Sequence, residues 1–105
     1  MRSQDDFYFR TNPHNESVTM GQSVRLLCSV SSDDRIVLAW TFNKETIRNT
    51  SRRYQEGSAL VIRRADYRLD SGLFECTATN ISSGFSIASL PAALTVHCKY
   101  DFDKE

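Results

Sequence analysis

Cysteine and histidine are the residues in this sequence whose side chains could serve as nucleophiles, bases or metal ligands. The chain of 105 residues contains three cysteines and two histidines. Cys28, Cys76 and Cys98 are too far apart for the paired Cys-x-x-Cys spacing of a zinc site. His14 and His97 flank the central part of the chain, and neither has an evident aspartate and nucleophile partner. We therefore expect no enzyme activity, no metal site and no cofactor.

Charge and hydropathy argue against two further classes of protein, nucleic-acid-binding domains and membrane-spanning proteins. The 13 basic residues balance the 13 acidic ones, whereas a nucleic-acid-binding domain usually carries a clear basic excess. No apolar run approaches the roughly 20 residues that a membrane-spanning helix needs. We therefore expect a soluble domain that binds no nucleic acid and is attached to a membrane only through a parent protein.

Alternation of apolar and polar residues with a period of two recurs along the chain, and no helical stripe of useful length is present. The runs with this pattern are SVRLLCSV, IVLAWTF, ALVIRR and GLFECTAT. On their predicted inward side lie Cys28, Trp40, Leu60, Phe74 and Cys76. Turn-forming stretches separate the runs. The sequence therefore predicts an all-β fold of many short strands.

The order Cys28, Trp40, Cys76 gives this fold a specific form. Because both cysteines face inward, a disulfide between them would join two strands through the core and stabilise the fold by roughly 4 kcal/mol. Trp40 can pack on the sulfur atoms. This order is the signature of an immunoglobulin-like β-sandwich, in which one disulfide joins two antiparallel sheets. The two cysteines are too close in sequence for a variable-type domain, so we expect an I-set-like domain with a short C′ strand and no C″ strand.

The heptad DSGLFEC, residues 70–76, leads into the second cysteine. We expect Gly72 where a side chain would clash, and we expect Asp70 to pair with an arginine such as Arg53. The aromatic residue two positions before the cysteine is normally a tyrosine that bonds back to the turn. Here it is Phe74, so that hydrogen bond is missing, at a cost on the order of 1 kcal/mol.

Residues 52–80 resemble the first immunoglobulin domain of the Off-track and colon carcinoma kinase family, which are receptor tyrosine kinase homologues. The features that carry the resemblance are the segment Arg52-Arg53-Tyr54, the pair Gly57-Ser58, the heptad, and ASLPAALTV near the end. The resemblance implies a cell-surface receptor with several immunoglobulin domains, one membrane span and an inactive kinase. It also implies a role in Wnt, planar-polarity or guidance signalling.

Three Asn-x-Ser/Thr sequons, at Asn15, Asn49 and Asn80, favour an extracellular location when combined with a disulfide. We predict these three asparagines as glycosylation sites and expect the side chains of Asn49 and Asn80 to lie in exposed turns. We predict residues 1–6 as an N-terminal flank, 7–97 as the domain and 98–105 as a linker to a following domain. Cys98 is expected to stay outside the disulfide, either pairing beyond this domain or remaining a free thiol.

Outward positions on the strands give two candidate surfaces. The strands of Trp40 and Cys76 carry a low-charge outward face, which favours contact with an extracellular protein, whether homophilic or heterophilic. Its residues are Val37, Ala39, Thr41, Leu73, Glu75 and Thr77. A basic stripe of Arg25, Arg53 and Arg63, with Arg52 and Arg64 close by, could instead hold heparan sulfate. We expect ligand or co-receptor recognition, and a spacer domain of an adhesion protein remains an alternative.

Overall fold

The structure, a computed structural model, describes residues 7–32 and 34–98. In chain order its strands and one helical turn are β1 (Phe9–Thr11), β2 (Glu16–Thr19), β3 (Val24–Leu26), β4 (Ser29–Val30), β5 (Ile36–Phe42), β6 (Glu45–Thr46), β7 (Arg53–Glu56), β8 (Ala59–Ile62), α1 (Tyr67–Asp70), β9 (Gly72–Asn80), β10 (Ser86–Ala88) and β11 (Ala92–His97). The predicted flank and most of the predicted linker lie outside the described residues. The domain limits therefore stay a prediction.

The strands form the two layers of a sandwich. One layer has the order β2-β11-β9-β5-β6, with β10 also paired to β9. The other contains β3-β8-β7, and β4, which continues the run of β3, pairs with β1. The short β6 is followed by β7 in the opposite layer. This arrangement confirms the predicted I-set-like sandwich, with a short C′ strand and no C″ strand within residues 34–98.

One pair of strands departs from the predicted antiparallel arrangement. β2 runs parallel to β11, whereas β1 is antiparallel to β4 in the other layer. Pro13, which has no N–H to donate to a ladder, lies between β1 and β2. The N-terminal segment is thus divided at Pro13 and contributes one edge to each layer.

The core is centred on the disulfide between Cys28 and Cys76, which are 48 residues apart in sequence and 6.4 Å apart between Cα atoms. Trp40 pairs directly with Cys76 in the β5–β9 register. Its ring is buried, and its Nε1 donates a hydrogen bond to the carbonyl oxygen of Ser58 at 3.0 Å. Leu60 and Phe74 are completely buried. The predicted disulfide and core residues are confirmed.

The turn before β9 contains α1, which the period-two pattern did not predict. Asp66 caps this helical turn, since its Oδ1 accepts hydrogen bonds from the backbone N–H groups of Arg68 at 2.8 Å and Leu69 at 3.0 Å. A turn of four residues is too short to show a helical stripe. No helix among the described residues is long and apolar enough to span a membrane.

Gly72 occupies the predicted position of close approach. A Cβ atom there would lie 2.7 Å from Oδ1 of Asn43 and 2.7 Å from Cε1 of Phe42. Asn43 is held in place because its backbone N–H donates to the carbonyl oxygen of Leu73, while its Oδ1 accepts from the N–H of Leu73 at 2.9 Å. A side chain at position 72 would therefore displace the turn that joins β5 to β6.

Candidate functional site

The solvent side of the neighbouring strands β5 and β9 brings the six predicted contact residues together. We call this surface the β5–β9 face; it contains Val37, Ala39, Thr41, Leu73, Glu75 and Thr77. Residues that are directly opposite in an antiparallel pair point to the same side of the sheet. The register pairs Ala39 with Thr77 and Thr41 with Glu75, which places these four side chains beside one another.

The β5–β9 face is largely uncharged and partly apolar. Val37 and Leu73 expose 52% and 48% of their surface, and the other four residues are half-buried. Glu75 is the single charged residue among the six, and Lys44 Nζ lies 3.2 Å from its Oε1. The face therefore offers two apolar side chains, short threonine side chains and a carboxylate that is already paired.

Strands β10 and β11 extend this face by residues that the prediction did not name. Ser86 is opposite Thr79, and their hydroxyl groups share a hydrogen bond of 2.6 Å. Ala88 is opposite Thr77, and Ala93 is opposite Leu73. This extension is not apparent from the sequence pattern, because the segment Ser89–Pro91 interrupts the last predicted strand.

Arg53 does not lie on the surface, where the predicted basic stripe would place it. It lies opposite Ile62, which is completely buried, so its side chain enters the sandwich instead of projecting from it. Its side chain is 19% exposed, and its guanidinium lies 5.0 Å from the ring centre of Phe42 and 5.9 Å from that of Phe74. The cation contacts aromatic rings at the corner where the usual tyrosine hydroxyl is missing.

Asp70 is the partner that holds Arg53 inward, as the sequence predicted, and it also binds Arg52. Arg53 Nη1 donates to Oδ1 of Asp70 at 3.0 Å. Arg52 donates to both carboxylate oxygens, from Nη1 to Oδ2 at 2.5 Å and from Nη2 to Oδ1 at 3.1 Å. The hydrogen bond to Asp70 raises the pKa of Arg52. A completely buried carboxylate is thus satisfied by two cations.

The remaining residues of the predicted stripe, Arg25 and Arg63, lie on the outer side of the β3-β8-β7 layer. Arg25 is opposite Val61, and its Nη1 lies 2.9 Å from Oε1 of Glu56, which balances its charge. Arg63 is exposed, and no described acid forms an ion pair with it. The structure therefore does not bring Arg25, Arg53 and Arg63 together as one stripe.

The three sequons differ in exposure. Asn15 and Asn49 are exposed, and each accepts a single backbone hydrogen bond through Oδ1, from Ala93 and Gln55 respectively. Asn80 is only 4% exposed, so the expectation that its side chain lies in an exposed turn is wrong. Its Oδ1 accepts from the N–H groups that follow it in the turn after β9, which keeps the side chain folded against the backbone.

His14, His97 and Cys98 are the histidine and free cysteine side chains among the described residues. His97 shares a hydrogen bond of 2.8 Å with the hydroxyl of Ser17, and His14 is exposed. Cys98 is an exposed free cysteine. Across the described ranges, no group of histidine, cysteine and acidic side chains is arranged to hold a metal ion.

Comparisons with known proteins agree with this architecture. A family model described as an immunoglobulin domain matches residues 8–80. The chain is 28% identical over 94 residues to the inactive tyrosine-protein kinase 7 of Mus musculus, covering 90% of the chain. It is 37% identical over 89 residues to the tyrosine-protein kinase-like otk of Drosophila erecta, covering 84% of the chain. The chain spans only 9% of the length of each relative. These matches confirm the predicted resemblance to the Off-track family.

Solved structures show the same fold. The tandem Ig repeats of Dlar match with a TM-score of 0.80 and 20% identity, covering 90% of this chain and 49% of that one. The titin M10 and obscurin-like 1 Ig complex matches with a TM-score of 0.77 and 22% identity, covering 90% of this chain and 97% of that one. At these identities the likeness concerns the fold alone.

Proposed function

Because the chain belongs to the immunoglobulin domain family, we propose that it is an extracellular recognition or adhesion module of a cell-surface receptor. In this proposal the β5–β9 face contacts a protein partner. The observation that carries the proposal is the low charge of that face combined with the exposure of Val37 and Leu73. The matched region is an immunoglobulin domain and not a catalytic domain.

The chemistry of the face suits contact with another protein. The centres of protein–protein interfaces are depleted of charge relative to the rest of the surface. Val37 and Leu73 can be buried as apolar anchors, while the hydroxyl groups of Thr41 and Thr77 can form hydrogen bonds across an interface. Threonine loses little side-chain entropy on binding. Since the strands are tied together by the continuous β5–β9 ladder, the face is held rigid before the partner arrives.

The relatives supply the finer part of the proposal. Their printed names describe an inactive tyrosine-protein kinase and a tyrosine-protein kinase-like protein. By family resemblance, the parent of this domain carries an inactive kinase and acts in Wnt, planar-polarity or guidance signalling at the cell surface. Partner contact is then homophilic or with another extracellular protein, and membrane attachment comes from the parent protein.

The experiment is binding of the tetramerised domain to live animal cells, with Leu73→Asp and Val37→Asp as the test variants. Each aspartate places a charge within the proposed interface, where it would be desolvated, so we expect at least tenfold weaker binding, equivalent to about 1.4 kcal/mol. Leu27→Asp is the matched control. Leu27 is exposed to a similar extent, 53%, but lies at the junction of β3 and β4 in the other layer.

Treatment of the cells separates protein contact from glycan contact. Binding through the β5–β9 face should be lost after brief protease treatment, persist after heparinase treatment and change little with added salt. If Leu27→Asp reduces binding as strongly as Leu73→Asp, the face is not the interface. Binding that withstands both β5–β9 substitutions would also refute the proposal.

A further inference from the structure

An open pocket of about 460 Å³ lies in the β3-β8-β7 layer, away from the β5–β9 face. It forms where the chain enters β3, enters β7 and leaves β8. Its lining residues are Ser23, Ser51, Arg52, Arg63 and Arg64. Three of these five residues are arginines, so the pocket has the composition of an anion-binding site.

The backbone that carries Arg63 and Arg64 is fixed by neighbouring segments. The hydroxyl of Ser23 donates to the carbonyl oxygen of Arg63 at 2.6 Å, and the N–H of Arg63 donates to the carbonyl oxygen of Arg52 at 2.7 Å. Arg52 Nη1 donates to the carbonyl oxygen of Arg64 at 3.1 Å. The two arginines therefore project from a backbone that is anchored on both sides.

The three arginines have different capacities for a ligand. The guanidinium of Arg52 is largely used, because both of its terminal nitrogens donate to Asp70. Arg63 and Arg64 are exposed, and neither forms an ion pair with an acid among the described residues. Arg52 thus orients the wall of the pocket, while the forks of Arg63 and Arg64 remain able to bind oxyanions.

We propose that this pocket binds the sulfate groups of a sulfated glycosaminoglycan. A guanidinium binds the oxygens of a sulfate through two parallel hydrogen bonds. An open pocket with two exposed cations holds a single anion weakly, but a polymer that presents many sulfates gains from multivalency. The chain has a net charge of zero, so binding of such a polymer must depend on local arginines and not on overall charge.

This inference goes beyond the proposed function, because it concerns a different surface and a different class of ligand. It also replaces the predicted stripe. Arg53 is committed to Asp70, Arg25 is paired with Glu56, and only Arg63 of the original three belongs to the pocket.

The test measures the affinity of the enzymatically deglycosylated domain for a heparin-derived oligosaccharide at physiological salt. Arg63→Ala combined with Arg64→Ala should weaken binding about tenfold, since each exposed charge contact contributes modestly and two are lost together. Arg10→Ala combined with Arg25→Ala is the matched control, because it removes the same charge from exposed positions outside the pocket. We expect less than about a twofold change in the control.

Two further ligands test whether the pocket recognises sulfate groups. Fully desulfated heparin and hyaluronan, which has carboxylates but no sulfates, should bind much more weakly than heparin. Wild-type affinity for heparin should fall as salt is added. Equal losses in the two double variants would show general attraction to positive charge and overturn the site. Equal affinity for hyaluronan, or no binding of heparin by the wild type, would overturn the ligand class. Thermal unfolding checks that each variant is folded.

Discussion

Replacing Asp70 with asparagine should destabilise the domain strongly, although the two side chains have the same shape. The carboxylate of Asp70 is completely buried and accepts from Arg52, from Arg53 and from the backbone N–H of Asp66, the last at 2.7 Å. Each oxygen accepts two of these hydrogen bonds. Whichever oxygen is replaced by the amide NH₂, that group would face two donors from which it cannot accept a hydrogen bond.

The magnitude follows from the two hydrogen bonds that are lost. Hydrogen bonds to charged groups contribute about 1.5–3 kcal/mol each, and removing one partner of a buried ion pair costs about 3–5 kcal/mol. The side chains of Arg52 and Arg53 are 27% and 19% exposed, so water recovers part of the loss. We therefore expect Asp70→Asn to lower the free energy of unfolding by about 3 kcal/mol. For a domain of this size that lowers Tm by roughly 12–24 °C.

Equilibrium urea unfolding, followed by tryptophan fluorescence with the disulfide intact, measures this change. Trp40 is the single tryptophan of the chain and is buried, so its emission reports on the core. Glu56→Gln is the control, because the pair of Glu56 with Arg25 has side chains that are 60% and 56% exposed and should contribute less than about 1 kcal/mol. A loss for Asp70→Asn no larger than the control value would refute the reasoning.

Two other predictions follow from burial and close contact. Secretion from animal cells should add sugar at Asn15 and Asn49 but not at the buried Asn80, and mass spectrometry of glycopeptides that found Asn80 occupied would contradict its burial. Gly72→Ala should cost about 1–3 kcal/mol in urea unfolding, because its Cβ would overlap Phe42 and Asn43. A cost below that of Gly84→Ala, where the only penalty is a φ of +82°, would show that the β5–β6 turn relaxes freely.

The sequence predicted the sandwich and its core because the central strand β9 follows a period of two. Along β9, buried and less buried residues alternate from Leu73 to Asn80, and this places Phe74 and Cys76 in the core. The same parity placed the β5–β9 face correctly on the solvent side. Local alternation is sufficient along β9, since its inward residues Phe74, Cys76 and Ala78 are apolar and its outward residues Glu75, Thr77 and Thr79 are polar.

The sequence could not predict the burial of Asn80 or the added residues of β10. Asn80 continues the inward parity of β9, but a sequon followed by Ser83-Gly84 also favours an exposed turn. Its side chain bonds to the turn backbone, which is a tertiary outcome of how the strand ends. β10 is short and is separated from β11 by Pro91, so its three residues form too little of a pattern to assign a face.

The stripe prediction places Arg53 on the surface, but its side chain lies in the interior. This difference shows where period-two reasoning fails in this fold. The inward residues of β7 are Arg53 and Gln55, which are opposite Ile62 and Leu60. Both are polar because this strand closes the edge of the sandwich: Gln55 Nε2 donates to the carbonyl oxygen of Leu38 in the other layer at 2.8 Å, as Arg53 donates to Asp70. An edge closed by hydrogen bonds has no apolar side to detect. The buried acid of the heptad was the better signal, because a carboxylate at that depth requires a cation to reach it from the facing strand.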